Sequence, residues 1–307
     1  MTLERVFAAL VDKGRIELTG DADLMKTLEL HGVDIVGEEA RLPKDVRLLE
    51  PERIRHCLSQ AASQWLLSLQ VVPHIESTNQ RLAKMAETGS IDGIVLMAEV
   101  QTSGRGRRGR TWISPFGRNI AMSIGMSLDY PAAGSGALSL VIGLAIADVL
   151  RGFGIRDVEL KWPNDVLMEG RKVSGILIEL TKSTEPTEMV IGVGVNVGAR
   201  DFLLAEIGQE VADVTEQVGD LSRSILAGGI INLVHQYCRE FEESGFRAFR
   251  HRWIALHAYQ DQRITAMSGS GTISGTCVGV SLSGALLVDD GEDLIELIGG
   301  EITVRRS

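Results

Sequence analysis

The sequence predicts an α+β protein: a central mixed β-sheet domain, a small helical unit before it and a small antiparallel barrel after it. Three observations carry this reading. Between residues 93 and 197, apolar runs of strand length alternate with one apolar run of helix length, as in a sheet covered by helices. Residues 1–50 carry short helical repeats and a single small hairpin pattern. From 264 to 304 the chain turns to Gly, Ser, Val and Ile in short alternating runs, the pattern of a small barrel.

Length and composition agree. At 307 residues the chain can hold two or three domains, each with its own core, and 44% hydrophobic with 23% charged residues is a soluble globular balance. The formal net charge of −10 is the wrong field for general nucleic-acid binding. Cys57, Cys238 and Cys277 lie far apart without a CxxC pair and read as reduced core thiols. Six histidines show no HExxH spacing, so no protein-held metal is expected. The first residues show no signal-peptide pattern, and the longest apolar run, 138–150, is too short for a bilayer and contains Asp148. A cytoplasmic protein with no membrane association is expected.

Taken in order, residues 1–50 predict a helix over 3–11 ending near Gly14, a second over 24–31 closed by Gly32, and a hairpin over 33–36 and 40–42. Pro43 and Pro51 bracket a connector, after which Ile54, Leu58, Ala61, Trp65 and Leu69 space one helix, so that 51–70 reads as a connecting helix. The central domain, 71–260, opens on a strand over 71–75. Ser77, Thr78 and Asn79 precede a helical run over 80–87 and serve either as helix caps or as free donors to a ligand. Strands follow at 93–100 and 119–127, then a helix over 136–151 that is apolar nearly all round and so buried. The strand 158–161 ends on Lys161, and Trp162-Pro163-Asn164-Asp165 turns the chain. A hairpin over 166–168 and 173–180 precedes a strand, 189–197, thinned by Gly192 and Gly194 as if a ligand or another backbone came close. Residues 222–257 are helical, and 261–307 form the barrel.

One stretch organises the rest. In Gln101-Thr-Ser-Gly-Arg-Gly-Arg-Arg-Gly-Arg-Thr-Trp112, glycines that let the backbone approach a ligand alternate with forked, permanently charged arginines. Such runs also occur in nucleic-acid tails, but this one lies between core-like strands in an acidic chain. No Gly-Lys-Ser/Thr follows, and the formal GxGxxG of Gly104, Gly106 and Gly109 opens no helix, so neither a Walker loop nor a dinucleotide site is indicated. Arg105, Arg107 and Lys161 all follow strands of one predicted sheet. Joining a carboxylate to a phosphate brings together two like charges that repel by about 4 kcal/mol at 4 Å in a medium of intermediate dielectric. Fixed cations, with a magnesium ion, offset that repulsion. The residues alone therefore predict an anion-binding loop for a phosphate-bearing ligand.

Ser77-Thr78-Asn79, the loop 104–110 with Trp112, Lys161-Trp-Pro-Asn-Asp165, Lys172-Val-Ser-Gly-Ile-Leu-Ile-Glu179 and Gly192-Val-Gly-Val-Asn196, in this order, resemble the biotin protein ligase family over roughly residues 70–307. The resemblance implies a mixed-sheet ligase domain of the biotin/lipoate type, a degenerate winged-helix-like N-terminal domain and an SH3-like C-terminal barrel. It implies a biotin–[acetyl-CoA-carboxylase] ligase that forms biotinyl-5′-AMP from biotin and MgATP. The acyl group then passes to one lysine of a biotin carboxyl carrier protein. By motif position, Ser77, Thr78, Asn79 and Gln101 would hold the biotin ring and ureido group, with Arg105, Gly106, Arg107 and Lys161 completing that site. Arg105, Arg107 and Lys161 would be the catalytic cations, Trp112, Asn164 and Asn196 would lie on the nucleotide side, and magnesium would arrive with ATP. A homodimer is likewise implied.

Larger members of that family carry an N-terminal helix-turn-helix and repress the biotin operon. Here the segment 15–23 stands where a second helix, a turn and the front of a recognition helix should lie, and Asp21, Asp23 and Glu29 face a single Lys26. DNA binding is expected to be lost or weak. The alternatives are a lipoate–protein ligase, disfavoured by the Gly-Arg loop, a biotin-sensing repressor, disfavoured by the short N-terminus, and an inactive binding module, disfavoured by the retained cations.

Overall fold

The computed structural model describes residues 1–18, 20–200, 202–203, 211–268, 271–298 and 303–306. The N-terminal unit runs α1 (Leu3–Lys13), β1 (Arg15–Glu17), α2 (Ala22–Glu29), β2 (Asp34–Val36) and β3 (Glu39–Arg41). Thr2 caps α1 by accepting from Arg5 N, and Gly14, at φ 72°, ends it. Asp21 caps α2 through Leu24 N. The sheet order is β1-β3-β2. The segment read as a mere reduction therefore contains a strand, and α2 follows it with no other helix among the described residues. Val6, Phe7, Leu10, Leu24 and Leu28 form a core that also takes in Val100 and Phe116 of the central domain.

The single helix expected over 51–70 is a different structure. It comprises α3 (Pro51–His56), α4 (Gln60–Trp65) and the first residues of strand β4 (Ser68–Val72). The cause is long-range. Asn232 donates to Cys57 O at 2.8 Å and accepts from Ser59 N at 2.8 Å, which satisfies backbone groups at the break. Ser59 then caps α4 through Ala62 N, and β4 pairs in parallel with β5 (Ile94–Ala98). Apolar spacing persists through the break and so cannot reveal it.

The central sheet continues with β6 (Asn119–Leu128), β7 (Val158–Lys161), β8 (Asp165–Met168), β9 (Arg171–Lys182) and β10 (Thr187–Asn196), in the order β4-β5-β6-β10-β9-β8-β7. Only β4–β5 is parallel. Helix α5 (Thr78–Ala86) begins two residues earlier than its spacing suggests. Helix α6 (Leu138–Gly152) is buried on nearly every side and shares one core with the sheet and with α7 (Arg223–Ser244). A short helix, α8 (Arg250–Ala255), leads into an antiparallel five-stranded sheet of β11 (Arg263–Ser268), β12 (Gly271–Val280), β13 (Leu286–Asp289), β14 (Leu294–Leu297) and β15 (Thr303–Arg306). Of the last predicted strand, residues 301–302 lie outside the described residues. Among the described residues no helix is long and apolar enough to cross a membrane.

One buried ion pair ties these parts together. Arg223, at the start of α7, donates to Glu99 at 2.7 Å, to Asn119 O at 2.9 Å and to Arg47 O at 2.7 Å. Glu99 also accepts from Leu49 N at 2.5 Å. The two side chains are 5% and 2% exposed, so each charge depends on the other. We expect Arg223→Met to lower stability by about 3–5 kcal/mol, and Glu99→Met/Arg223→Met to recover much of that loss, read from urea midpoints. Equal losses in both variants would contradict the assignment.

Burial lowers the pKa of His257 to about 4. His31, His74 and His235 shift the same way, also mainly by burial. A depressed histidine favours the folded state above its unfolded pKa near 6.5 and loses that contribution as pH falls toward 4. His257 alone contributes on the order of 3 kcal/mol. Urea midpoints should drop between pH 7 and pH 4.5, with a shallower drop in His257→Gln. An identical slope in that variant would place the acid sensitivity elsewhere.

Candidate active site

The Gly/Arg stretch folds as an irregular hairpin. Gln101 bridges Ile75 on one side and Ser114 on the other, and Arg105 bridges Thr111. Trp112 N donates to Gly104 O at 2.9 Å and Gly106 N to Arg110 O at 2.8 Å. A single 3₁₀ turn, Arg107–Gly109, closes the tip with Arg108 at φ 60°. Gly104 is required here, because an added Cβ would overlap Trp112 O. The loop arches over a cavity lined by Ser77, Thr78, Asn79, Gln101, Arg105, Gly106, Arg107, Trp112, Lys161 and Asn164. Ten of the eleven residues singled out from sequence therefore meet at one place.

The floor is a polar network inside an apolar sheet. Ser77 caps α5 by accepting from Gln80 N, so its side chain is used as a cap while the residue still lines the cavity. Thr78 donates to Gln101 Oε1 from its backbone N at 2.8 Å and from Oγ1 at 3.0 Å. Ser123 Oγ, on β6, lies 2.7 Å from Thr78 Oγ1 and 2.5 Å from Asn79 Oδ1. Asn79 Nδ2 donates to Glu179 at 2.8 Å and to Leu177 O at 3.3 Å. These side chains are almost wholly enclosed, and each hydrogen bond fixes the direction of the next. Ser123 and Glu179 were not singled out. The available signal for Ser123 was a lone hydroxyl in the middle of an otherwise apolar run, 120–126.

The glycines of β10 have a more local cause than the one expected. A Cβ at Gly192 would overlap Asn79, and one at Gly194 would overlap the Trp112 ring. The close approach is thus by two of the site's own side chains. Trp112 packs against β10 at Gly194, and at Gly175 on β9 an added Cβ would come within 2.9 Å of Lys172 Nζ.

Six cations line the cavity: Arg105, Arg107, Arg108, Arg110, Lys161 and Lys172. With the Gln80 carboxamide oxygen turned toward the loop, Arg105 donates to it at 3.0 Å from Nη1 and 3.2 Å from Nε. Arg107 donates to Asn164 Oδ1 at 3.1 Å, while Asn164 Nδ2 donates to Ile176 O at 2.8 Å. Asn164 therefore anchors the loop arginine to β9. Burial, and then the neighbouring Arg108 and Arg110 charges, lower the pKa of Arg107, with Asp165 opposing them. Its guanidinium remains charged at any neutral pH, and an anionic ligand would relieve that strain. Lys161 Nζ lies 5.6 Å from the centre of the Tyr259 ring. Lys172, which sequence reasoning missed as a site residue, pairs with Asp165 at 2.6 Å and lies 5.6 Å from the Trp112 ring centre. Both residues stood in quoted motifs, but a hairpin pattern does not say which face a lysine takes.

Asn196 is the exception among the predicted residues. It is 3% exposed, and its Nδ2 donates to Ala212 O at 3.1 Å and Lys172 O at 3.4 Å. It buttresses the backbone behind the cavity and does not line it. No group of three or more His, Cys, Asp or Glu side chains suited to a metal occurs among the described residues. Among the described residues, Asp165 is the one carboxylate on the cavity wall.

Comparison with known proteins agrees with this geometry. Residues 71–196 match the model of the biotin/lipoate A/B protein ligase family. The chain is 36% identical over 286 residues to a bifunctional ligase/repressor BirA of Salmonella typhimurium, covering 92% of this chain and 87% of that one. A biotin–[acetyl-CoA-carboxylase] ligase of Mycobacterium tuberculosis is 42% identical over 154 residues, 48% of this chain and 56% of the relative. Among solved structures, the biotin protein ligase of Aquifex aeolicus in complex with biotin and ATP superposes with a TM-score of 0.68 at 30% identity, over 79% of this chain and all of that one.

The glycine at 194 provides a local test. Gly194→Ala should push Trp112 off β10, cost roughly 1–3 kcal/mol in stability and red-shift tryptophan emission. In Trp112→Leu the same alanine should cost much less. An equal cost in both backgrounds would mean that Gly194 is not making room for Trp112.

Proposed function

Because the chain belongs to the biotin protein ligase family and is a ligase of that family, we propose that it attaches biotin to a carrier-protein lysine through biotinyl-5′-adenylate. The observation that carries this reading is the convergence of Arg105, Arg107 and Lys161 above the floor of Thr78, Asn79 and Gln101. In the first step a biotin carboxylate oxygen attacks the α-phosphorus of ATP, the bond to the β-phosphate bridging oxygen breaks, and pyrophosphate leaves. In the second, the acceptor lysine's neutral amine attacks the acyl carbon and AMP leaves. No residue of this chain need form a covalent intermediate.

The roles follow from position. Ser77, Thr78, Asn79 and Gln101 hold the bicyclic ring and ureido group of biotin. Arg105, Gly106 and Arg107 cover the carboxylate and phosphate, and the hairpin keeps water from the mixed anhydride. Lys161 faces the oxygens on which charge develops. Trp112 and Asn164 lie toward the nucleotide, as does Lys172. Magnesium, when bound with ATP, would neutralise phosphate charge. One or two carboxylates suffice for an ion carried by phosphates, and Asp165 fits that requirement. The relative named for acetyl-CoA carboxylase supports a biotin carboxyl carrier protein as acceptor. The Aquifex complex supports biotin and ATP as the small substrates. A polar floor favours biotin over lipoate, because a ureido group can exchange hydrogen bonds with Thr78, Asn79 and Gln101 and a dithiolane ring cannot.

We expect Lys161→Ala to slow adenylate formation by about 10²–10³-fold, the usual effect of losing one charge-stabilising donor. Arg107→Gly should instead shorten the lifetime of the bound adenylate. Single-turnover rates and adenylate retention at wild-type values in both variants would sink the assignment.

DNA binding is the part of the family's range that we propose to be absent or weak. Residues 1–50 hold eleven acidic side chains against seven basic ones, and α2 follows β1 directly. A helix that enters the major groove needs cations at the flanking phosphates. The relative from Salmonella carries a repressor's name, so the test is direct. A mobility shift with the organism's biotin operator, at low salt with biotin and ATP, should show no specific complex, and a specific complex would overturn this reading. We also propose a homodimer, checked by sedimentation with and without biotin and ATP.

A further inference from the structure

Lys161 is held by segments that lie beyond the central sheet. Lys161 is the last residue of β7, an edge strand of the central sheet. On its outer side β7 meets the segment that leads from α8 into the C-terminal sheet. Leu160 N donates to Leu256 O at 2.7 Å, and Ala258 N donates to Leu160 O at 2.9 Å. The next residue, Tyr259, places its ring 5.6 Å from Lys161 Nζ. On the other side of the lysine, Trp162 is 2% exposed and donates from Nε1 to Gly284 O at 3.0 Å, within the barrel. Val304 of β15 also lines the cavity.

Both lysines of the cavity lie 5.6 Å from an aromatic ring centre, Lys161 from Tyr259 and Lys172 from Trp112, and they differ in ion pairing. Lys172 is matched by the carboxylate of Asp165 at 2.6 Å. Lys161 forms no ion pair among the described residues. An ion pair fixes an ammonium by cancelling its field. An aromatic face fixes it through the ring quadrupole and leaves the full charge available to a ligand. A long, rotamer-rich lysine that must meet a developing oxyanion gains most from such a hold, because it is restrained before the reaction begins.

We propose that Tyr259, at the junction with the C-terminal sheet, is a positioning residue for adenylate formation, aiming Lys161 without neutralising it. This rests on the catalytic role proposed above for Lys161. Tyr259 acts through that lysine and not on substrate. The ring face, not the phenol hydroxyl, is the working part.

The test is a double-mutant cycle in the full-length protein, read as single-turnover biotinyl-adenylate formation, with biotin affinity and thermal melting measured alongside. Tyr259→Leu should slow the step about 10-fold, since 1.36 kcal/mol is tenfold and a partly desolvated cation–π contact is of that order. Biotin affinity should stay unchanged, and Tyr259→Phe should stay near wild type. In Lys161→Ala, adding Tyr259→Leu should cause no further loss. Pentafluorophenylalanine at 259 keeps the ring's shape and reverses its quadrupole, so it should slow the step even if the leucine variant folds poorly. Rates within twofold of wild type for the leucine and fluorinated variants would overturn the inference. So would an equal loss in the Lys161→Ala background. A wild-type rate in Lys161→Ala itself would overturn the catalytic assignment and this inference together, whereas a slow Lys161→Ala beside a normal Tyr259→Leu would remove only the second.

Discussion

Mutual repulsion among the cavity's cations is the constraint on which the site depends. Arg105, Arg107, Arg108, Arg110, Lys161 and Lys172 border one cavity, and like charges gathered there oppose folding unless they are held. Four of them are held by different devices. Arg105 rests on the Gln80 carboxamide, Arg107 on Asn164, Lys161 against the Tyr259 ring and Lys172 on Asp165. The Gln80, Asn164 and Tyr259 contacts are electrically neutral, whereas the Asp165 contact carries a charge. The fourth couples Lys172 to Asp165, among the described residues the one carboxylate on the cavity wall.

Holding the cations requires a frame that does not yield, and the frame comes from all parts of the chain. The stem of the Gly/Arg hairpin begins two residues after Glu99, which the buried Arg223 fixes to the connector, to β6 and to α7. Val100 and Phe116, which flank that stem, complete the core of the N-terminal unit. Phe7 of α1 stacks on His74 at 5.5 Å and 3°, and packs on Phe116 at 5.2 Å. His74 in turn lies 3.3 Å from Thr102 at the base of the loop. The N-terminal unit therefore braces the active-site loop physically. The C-terminal sheet braces the opposite wall through Trp162 and Tyr259. The ligase chemistry sits in the central domain, while its stiffness is shared among three.

Much of this was legible in the sequence, and the limits have physical causes. The strands of the central sheet and helix α6 declare themselves by local apolar pattern, because their burial is nearly complete. The Gly/Arg loop was legible because its residue types have few other uses between core strands. What was not legible is contact between distant residues. The break between α3 and α4 is made by Asn232, some 170 residues away, and no local pattern records it. Gly192 and Gly194 announced a close approach but not by what, since Asn79 and Trp112 arrive only with the fold. Asn196 had the right position in its motif, yet its amide is spent on backbone carbonyls. Lys172 stood in plain view, but its face depends on a register shift between Val166 and Leu167 in the β8–β9 pairing.

The central claim is that the cations and polar floor make a biotin-specific adenylating site. Biotin-dependent exchange of labelled pyrophosphate into ATP tests it most directly, with lipoate run in parallel on the same folded protein and magnesium. The account predicts exchange with biotin and none with lipoate. Exchange with lipoate alone would overturn the reading of the floor, and exchange with neither would contradict the adenylating site itself.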